Sequence, residues 1–152
     1  VYGGMAGCVL AGWFSDKIGL RRPPLLLLST GFCACWAALV FWGGGKPPEA
    51  VLRPLFFLLG FSASSYMLAW SITKETNLPR FTAVAISVVN TGSFLGTALI
   101  TTAMGMILDR TAALDASSQY RAVFLFCLAC SVLGLFCATL LQETRCRNVT
   151  VP

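Results

Sequence analysis

Long apolar runs separated by short polar segments divide the chain into five parts. The runs cover residues 1–14, 23–42, 52–73, 82–108 and 120–141. At about 1.5 Å of rise per residue, each of the last four can cross a hydrocarbon core of about 30 Å as a helix. Their interiors carry no charge, and continuous apolar runs differ from the alternation of a membrane barrel. The pattern predicts an all-α membrane protein, a polytopic transmembrane helix bundle with about five spans.

The first run is too short to be a complete span. It has 14 residues, whereas a transmembrane helix needs about 20. The chain has no initiator Met and no basic segment before this run, so the run is not a signal peptide. We therefore expect the chain to begin inside a helix and the protein to extend upstream.

Composition agrees with a protein that lives in lipid. The chain is 57% hydrophobic and 11% charged, whereas soluble domains carry about 25% charged residues. Histidine is absent, and all cysteines except Cys146 lie inside apolar runs. Cys127-x-x-Cys130 is then a pair of packing residues and not a redox motif. We expect no metal, no cofactor and no catalytic residues, and hence no enzyme.

The eleven Lys and Arg residues give a net charge of +5 and occupy the segments between the runs. This placement indicates membrane topology, so no nucleic-acid partner is expected. If successive loops alternate across the bilayer, one side has seven cations and the other four. The richer side predicts a cytoplasmic C-terminus in a cell membrane; its cations are Lys17, Arg21, Arg22, Lys74, Arg80, Arg145 and Arg147.

Polar side chains are unevenly shared among the spans. The second and fifth carry only two hydroxyls each, whereas the third and fourth carry many. Because polar groups in lipid are best placed against protein or a wet cavity, the third and fourth spans are predicted to be interior and the second and fifth peripheral. The candidates for a substrate pathway are Ser62, Ser65, Tyr66, Asn90, Thr91 and Ser93. Helix packing explains them equally well, as it explains Gly92-x-x-x-Gly96.

A distinctive motif lies between the first two runs: Gly12-Trp-Phe-Ser-Asp16-Lys17-Ile-Gly19-Leu-Arg21-Arg22. It resembles the loop signature of the major facilitator superfamily, G-x-x-x-D-R/K-x-G followed by basic residues. Leu20 stands where the family often has a basic residue. Gly12 allows close helix approach and Gly19 a tight turn. Asp16 can face a helix N-terminus, while Lys17 and Arg21 or Arg22 hold the loop at the lipid head groups.

Further resemblance places the chain in the second half of such a protein. Asn77-Leu-Pro79-Arg80 and the segment from Val89 to Ala98 resemble the entry to the family's eleventh span and its course. Gln142-Glu-Thr-Arg145 resembles the ending after the twelfth. The five runs then correspond to spans eight to twelve.

The resemblance implies a secondary active transporter that moves a small solute by alternating access. Its partners would be the solute, the lipid bilayer and the missing N-terminal half of the same protein, with the motif as a cytoplasmic gating loop. The alternative is a non-transporting membrane scaffold or helper subunit, or an inactive truncated product. No Walker-type loop is present, so nucleotide hydrolysis is not implied.

Overall fold

The computed structural model describes residues 2–44 and 46–150, in which helices are the only long elements. Val1 and Gly45, in the first run and in the glycines after the second, lie outside the described residues. The all-α prediction is confirmed. Two 3₁₀ turns, Trp42–Gly44 and Pro79–Phe81, accompany six helices: α1 Tyr2–Ile18, α2 Arg22–Phe41, α3 Glu49–Ala63, α4 Ser65–Glu75, α5 Thr82–Arg110 and α6 Ala116–Thr139.

Four stretches of these residues are long and apolar enough to cross a membrane, judged by length and composition. They are Arg22–Phe41, Glu49–Glu75, Pro79–Arg110 and Ala116–Thr139. The first helix has 17 residues, a length of about 25 Å. It continues to Ile18, so Asp16 and Lys17 belong to its last turn and not to the following loop.

Local sequence explains several helix ends. Pro23 and Pro24 occupy the first turn of α2, where a missing N–H costs nothing. Gly43 follows α2 with a φ of 57°, a conformation that favours glycine. Asp115 caps α6, because its carboxylate accepts the backbone N–H of Ser118 at 3.2 Å.

The third span is broken at Ser64, although the sequence predicts one uninterrupted run. The backbone N–H of Ser64 donates to the carbonyl of Phe61 at 3.2 Å, and the Ser64 hydroxyl donates to the same oxygen at 2.6 Å. This bonding tightens the turn between α3 and α4. Ser64 is fully buried. Serine fits equally well inside a helix and at a break, so hydropathy gave no indication of it.

Glycines bring α1 and α3 into close contact. A Cβ at Gly3 would lie 2.1 Å from the carbonyl oxygen of Phe57, and one at Gly7 would lie 2.5 Å from that of Phe61. Gly60 approaches the backbone of Gly4 from the opposite helix. Small residues of this kind allow helix backbones to meet, which is the usual packing mode in membranes.

The core lies between α2, α4 and α6. Leu25, Leu68, Ile72 and Ala138 form one buried cluster, and Cys35, Leu39 and Leu55 form another beside α3. Among the described residues, α5 has no buried residue. α2 packs one side on its neighbours, whereas Leu27, Thr30, Ala34 and Phe41 on its opposite side are exposed. Its predicted peripheral position therefore stays a prediction, while the polar α5 has an open face.

Successive spans run in opposite directions, so the polar segments gather at two ends of the bundle. The C-terminal ends of α1 and α4, the N-terminal end of α2 and the segment after α6 meet at one end, which we call the network end. Lys46 and Asp115 lie near each other at the opposite end. The predicted alternation of loops places the seven-cation set at the network end.

Candidate functional site

The motif residues form the turn between α1 and α2. Gly19 has a φ of 66°, and its N–H donates to the carbonyl of Asp16 at 3.3 Å. A left-handed glycine after the last turn is a common helix ending. Gly19 therefore has the conformation that the predicted tight turn requires. Gly12 has no close neighbour from the other described helices. Apart from its own turn of α1, no heavy atom of the described residues lies within 4 Å of a Cβ built there.

Arg21 is the centre of the site. Its Nη2 donates to Glu75 Oε1 at 2.8 Å and its Nε to the same oxygen at 3.0 Å, while Nη1 donates to Asp16 Oδ1 at 2.7 Å. Nη1 also donates to the hydroxyl of Ser15 at 3.0 Å. We call these four residues the Arg21 network. It links the last turn of α1, the start of α2 and the end of α4.

Burial makes the two ion pairs unequal. The side chains of Arg21 and Glu75 are 10% and 11% exposed, whereas that of Asp16 is 66% exposed. Burial alone would lower the pKa of Arg21, but hydrogen bonds to Glu75 and Asp16 outweigh it and raise that pKa. The guanidinium therefore stays charged with two carboxylates around it.

The three cations of the motif occupy three different settings. Arg21 is buried, with two carboxylates around it, so Lys17 and Arg22 are the cations left for the predicted contact with lipid head groups. Arg22 is half-buried and donates to the carbonyl of Thr139 at 2.5 Å. Lys17 is exposed, with its ammonium 4.8 Å from the ring centre of Trp13. A cation over an indole ring is weakly stabilised at an exposed position.

Glu143, beyond the end of α6, caps the start of α2. Its two carboxylate oxygens accept the backbone N–H groups of Arg21 at 2.9 Å and Arg22 at 2.8 Å. Burial would raise the pKa of the Glu143 carboxyl, but the N–H donors of Arg21, Arg145 and Arg22 lower it. A carboxylate at a helix N-terminus also opposes the positive end of the helix dipole.

Residues 144–150, which we call the C-terminal strap, lie across the network end. The Thr144 hydroxyl contacts Glu75 Oε2, the Val149 N–H donates to the Glu75 carbonyl at 2.9 Å, and Asn148 Nδ2 donates to the Asn77 carbonyl at 2.9 Å. Arg145 and Cys146 have φ values of 51° and 56°. Residues other than glycine rarely adopt this left-handed backbone conformation, which costs on the order of 1–3 kcal/mol per residue.

The predicted pathway residues of the third span lie in two different places. Ser62 is buried, with its hydroxyl 2.9 Å from the Cβ position of Gly31 on α2. Ser65 and Tyr66 line a cavity of about 490 Å³. Ser29 and Ser131, from the two spans with few hydroxyls, line the same cavity. Tyr66 packs edge-on against Trp70, with ring centres 5.6 Å apart.

The predicted residues of α5 lie elsewhere. Thr91 and Ser93 are exposed and Asn90 is half-exposed. No described heavy atom lies within 4 Å of a Cβ at Gly92 or Gly96, so their packing role stays a prediction. The hydroxyls of this helix mostly donate to carbonyls four residues earlier, at 2.8–2.9 Å, in Ser87, Ser93, Thr97, Thr101 and Thr102.

Comparison with known proteins identifies the family. The family model described as Major Facilitator Superfamily matches residues 2–148. The chain belongs to the Major Facilitator Superfamily. The prediction of a multi-pass membrane protein of this transporter family is thereby confirmed. No curated protein and no solved structure matched the chain.

Sequence analysis did not predict several residues that form the Arg21 network and its contacts. Glu143 and Thr144 entered only as parts of the segment that resembles the family's ending, and Glu75, Ser15 and Cys146 were assigned no role. Glu75 offered one indication, because it is an acidic residue two positions after the end of an apolar run. The rest depends on contacts between residues up to 131 positions apart, which a local pattern does not contain.

Proposed function

We propose that this chain is part of a secondary active transporter that moves a small solute across a cell membrane by alternating access. In this proposal an upstream half, outside the chain, completes the pathway, and the network end faces the cytoplasm. The observation that carries the proposal is the Arg21 network. It places a buried ion pair and a largely exposed carboxylate beside the α1–α2 turn, in the segment that bears the family motif.

The network suits a gate that opens and closes on one side of the membrane. The Arg21–Glu75 pair is buried and holds α1 and α2 against α4, so it stays within this bundle. Asp16 keeps two-thirds of its side chain exposed and can therefore receive a second partner from outside the chain. In the closed state that partner would be the positive end of a helix of the upstream half. Opening would release this outer contact and leave the inner pair intact.

The solute pathway is proposed to include the cavity beside the break in the third span. Substrate sites of transporters with this architecture lie near the middle of the membrane, between facing helices. Ser65 and Tyr66 lie directly after the break and line the cavity. The lining holds no charged side chain, which favours an uncharged solute with few hydrogen-bonding groups. Asn90, Thr91 and Ser93 would line the pathway on α5.

The test of the gate is Asp16→Asn in the intact protein. Because Asp16 is largely exposed, losing its pair with Arg21 should change stability by no more than about 1 kcal/mol. Solute uptake into cells should fall severalfold while expression stays close to wild type. The control is Glu49→Gln, which removes an exposed carboxylate at the opposite end. Equal uptake in the two variants would argue against a gating role for the motif and favour a non-transporting helper protein.

A further inference from the structure

The C-terminal strap touches the helix ends that the Arg21 network joins at the network end. On α4 it bonds the side chain and the carbonyl of Glu75 and, just beyond the helix, the Asn77 carbonyl. On α1 it touches the carbonyl of Ser15 through Cys146 Sγ at 3.7 Å. Glu143, directly before the strap, caps α2. Glu143 and the strap together therefore contact α1, α2 and α4, the three helices that the Arg21 network links.

The strap is held by these contacts and not by its own local preference. Arg145 and Cys146 are two consecutive residues in the left-handed region, without a glycine at either position. A free chain leaves this conformation readily, because it is sterically unfavourable for residues with a Cβ. Backbone strain at Arg145 and Cys146 therefore favours release of the docked strap once its contacts to α4 weaken.

We infer that residues 144–150 form a releasable lock on the cytoplasmic side. When the strap is docked, Thr144 and Asn148 hold it on the end of α4 while Cys146 touches α1, and the gate is held in one state. When it is released, the carboxylate of Glu75 loses one donor; the Arg21–Glu75 pair remains, and the last turn of α1, which carries Asp16, is held less firmly. The lock is a property of the described residues alone; its effect on transport rests on the proposed function.

Cys146 provides a built-in probe of strap release. In the docked strap the thiol of Cys146 is half-buried, and burial raises its pKa. The thiol should therefore react slowly with a maleimide. The experiment measures the labelling rate of Cys146 in native membranes, by mass spectrometry of the C-terminal peptide. Rates are normalised to those of the denatured protein. Thr144→Val should raise the rate about fivefold, the effect of one lost hydrogen bond. Asn148→Ala should raise it at least as much, because its side chain bonds the Lys74 and Asn77 carbonyls and two donors of Thr150.

A matched pair of glycine variants tests the strain. Arg145→Gly removes a left-handed side chain, whereas Arg147→Gly removes the same charge from a position without positive φ. Both side chains are exposed and neither makes a hydrogen bond among the described residues. Arg145→Gly should slow Cys146 labelling about threefold, because glycine adopts the docked conformation without strain. Arg147→Gly should leave the rate unchanged or raise it.

Two results would overturn the lock. One is wild-type labelling in Thr144→Val and Asn148→Ala, and the other is equal labelling in the two glycine variants. Uptake separates this inference from the proposed function. If the lock acts on the gate, Arg145→Gly lowers uptake severalfold relative to Arg147→Gly; equal uptake with the expected labelling would make the strap a static fastener. If the protein is not a transporter, uptake is absent in every variant while the labelling pattern persists.

Discussion

Replacing Glu75 with glutamine tests whether the Arg21–Glu75 pair stabilises the bundle. The change keeps the shape of the side chain but removes the charge that accepts two donors of Arg21 and contacts the Thr144 hydroxyl. Arg21 would remain about nine-tenths buried, with the exposed Asp16 as its counter-charge. Removing one partner of a buried pair typically costs 3–5 kcal/mol. Because Asp16 remains, we expect about 3 kcal/mol.

The measurement is equilibrium unfolding in bicelles, with Glu49→Gln as the matched control. Glu49 pairs with Arg53 at 3.9 Å, and both side chains are more than 80% exposed, so this loss should cost no more than about 1 kcal/mol. A second variant, Arg21→Met with Glu75→Leu, removes both charges and should recover most of the stability. Equal unfolding free energies for Glu75→Gln and Glu49→Gln would refute the assignment of the pair as a stabilising contact.

Two further predictions concern packing and the solute. Gly7→Ala should destabilise the protein by about 1–3 kcal/mol, because its methyl group meets the Phe61 carbonyl, whereas Gly4→Ala makes only an ordinary 3.7 Å contact and should be tolerated. An equal change in melting temperature in both variants would contradict the close approach of α1 and α3. Ser131→Phe should weaken solute affinity about tenfold by narrowing the cavity, whereas Leu133→Phe on the exposed face of α6 should not. Unchanged affinity in both would remove this cavity from the pathway.

The sequence was sufficient to predict the helices and the turn that carries the motif. Hydropathy determines where a chain can cross lipid, and four apolar runs correspond to the four candidate spans. Gly19 was predictable for a similar reason, since a turn with positive φ favours glycine. Both properties depend only on neighbouring residues.

The rest depends on which helices meet, which the sequence does not state. Glu75 approaches Arg21 across 54 positions, and Glu143 approaches it across 122. The enclosure of a helix likewise depends on its partner helices, whereas the number of hydroxyls indicates only its polarity. Ser29 and Ser131 belong to the two spans with few hydroxyls and were not among the candidates for the pathway, yet they line the cavity with Ser65.

The hydroxyls of α5 have a consequence for how this protein is assembled in the membrane. Each hydroxyl that donates to a carbonyl of its own helix has used its hydrogen, so these five groups leave no donor unsatisfied in lipid. What these five oxygens still present are lone pairs, which attract N–H or O–H groups. These oxygens therefore favour a partner helix or a solute that carries hydrogen-bond donors.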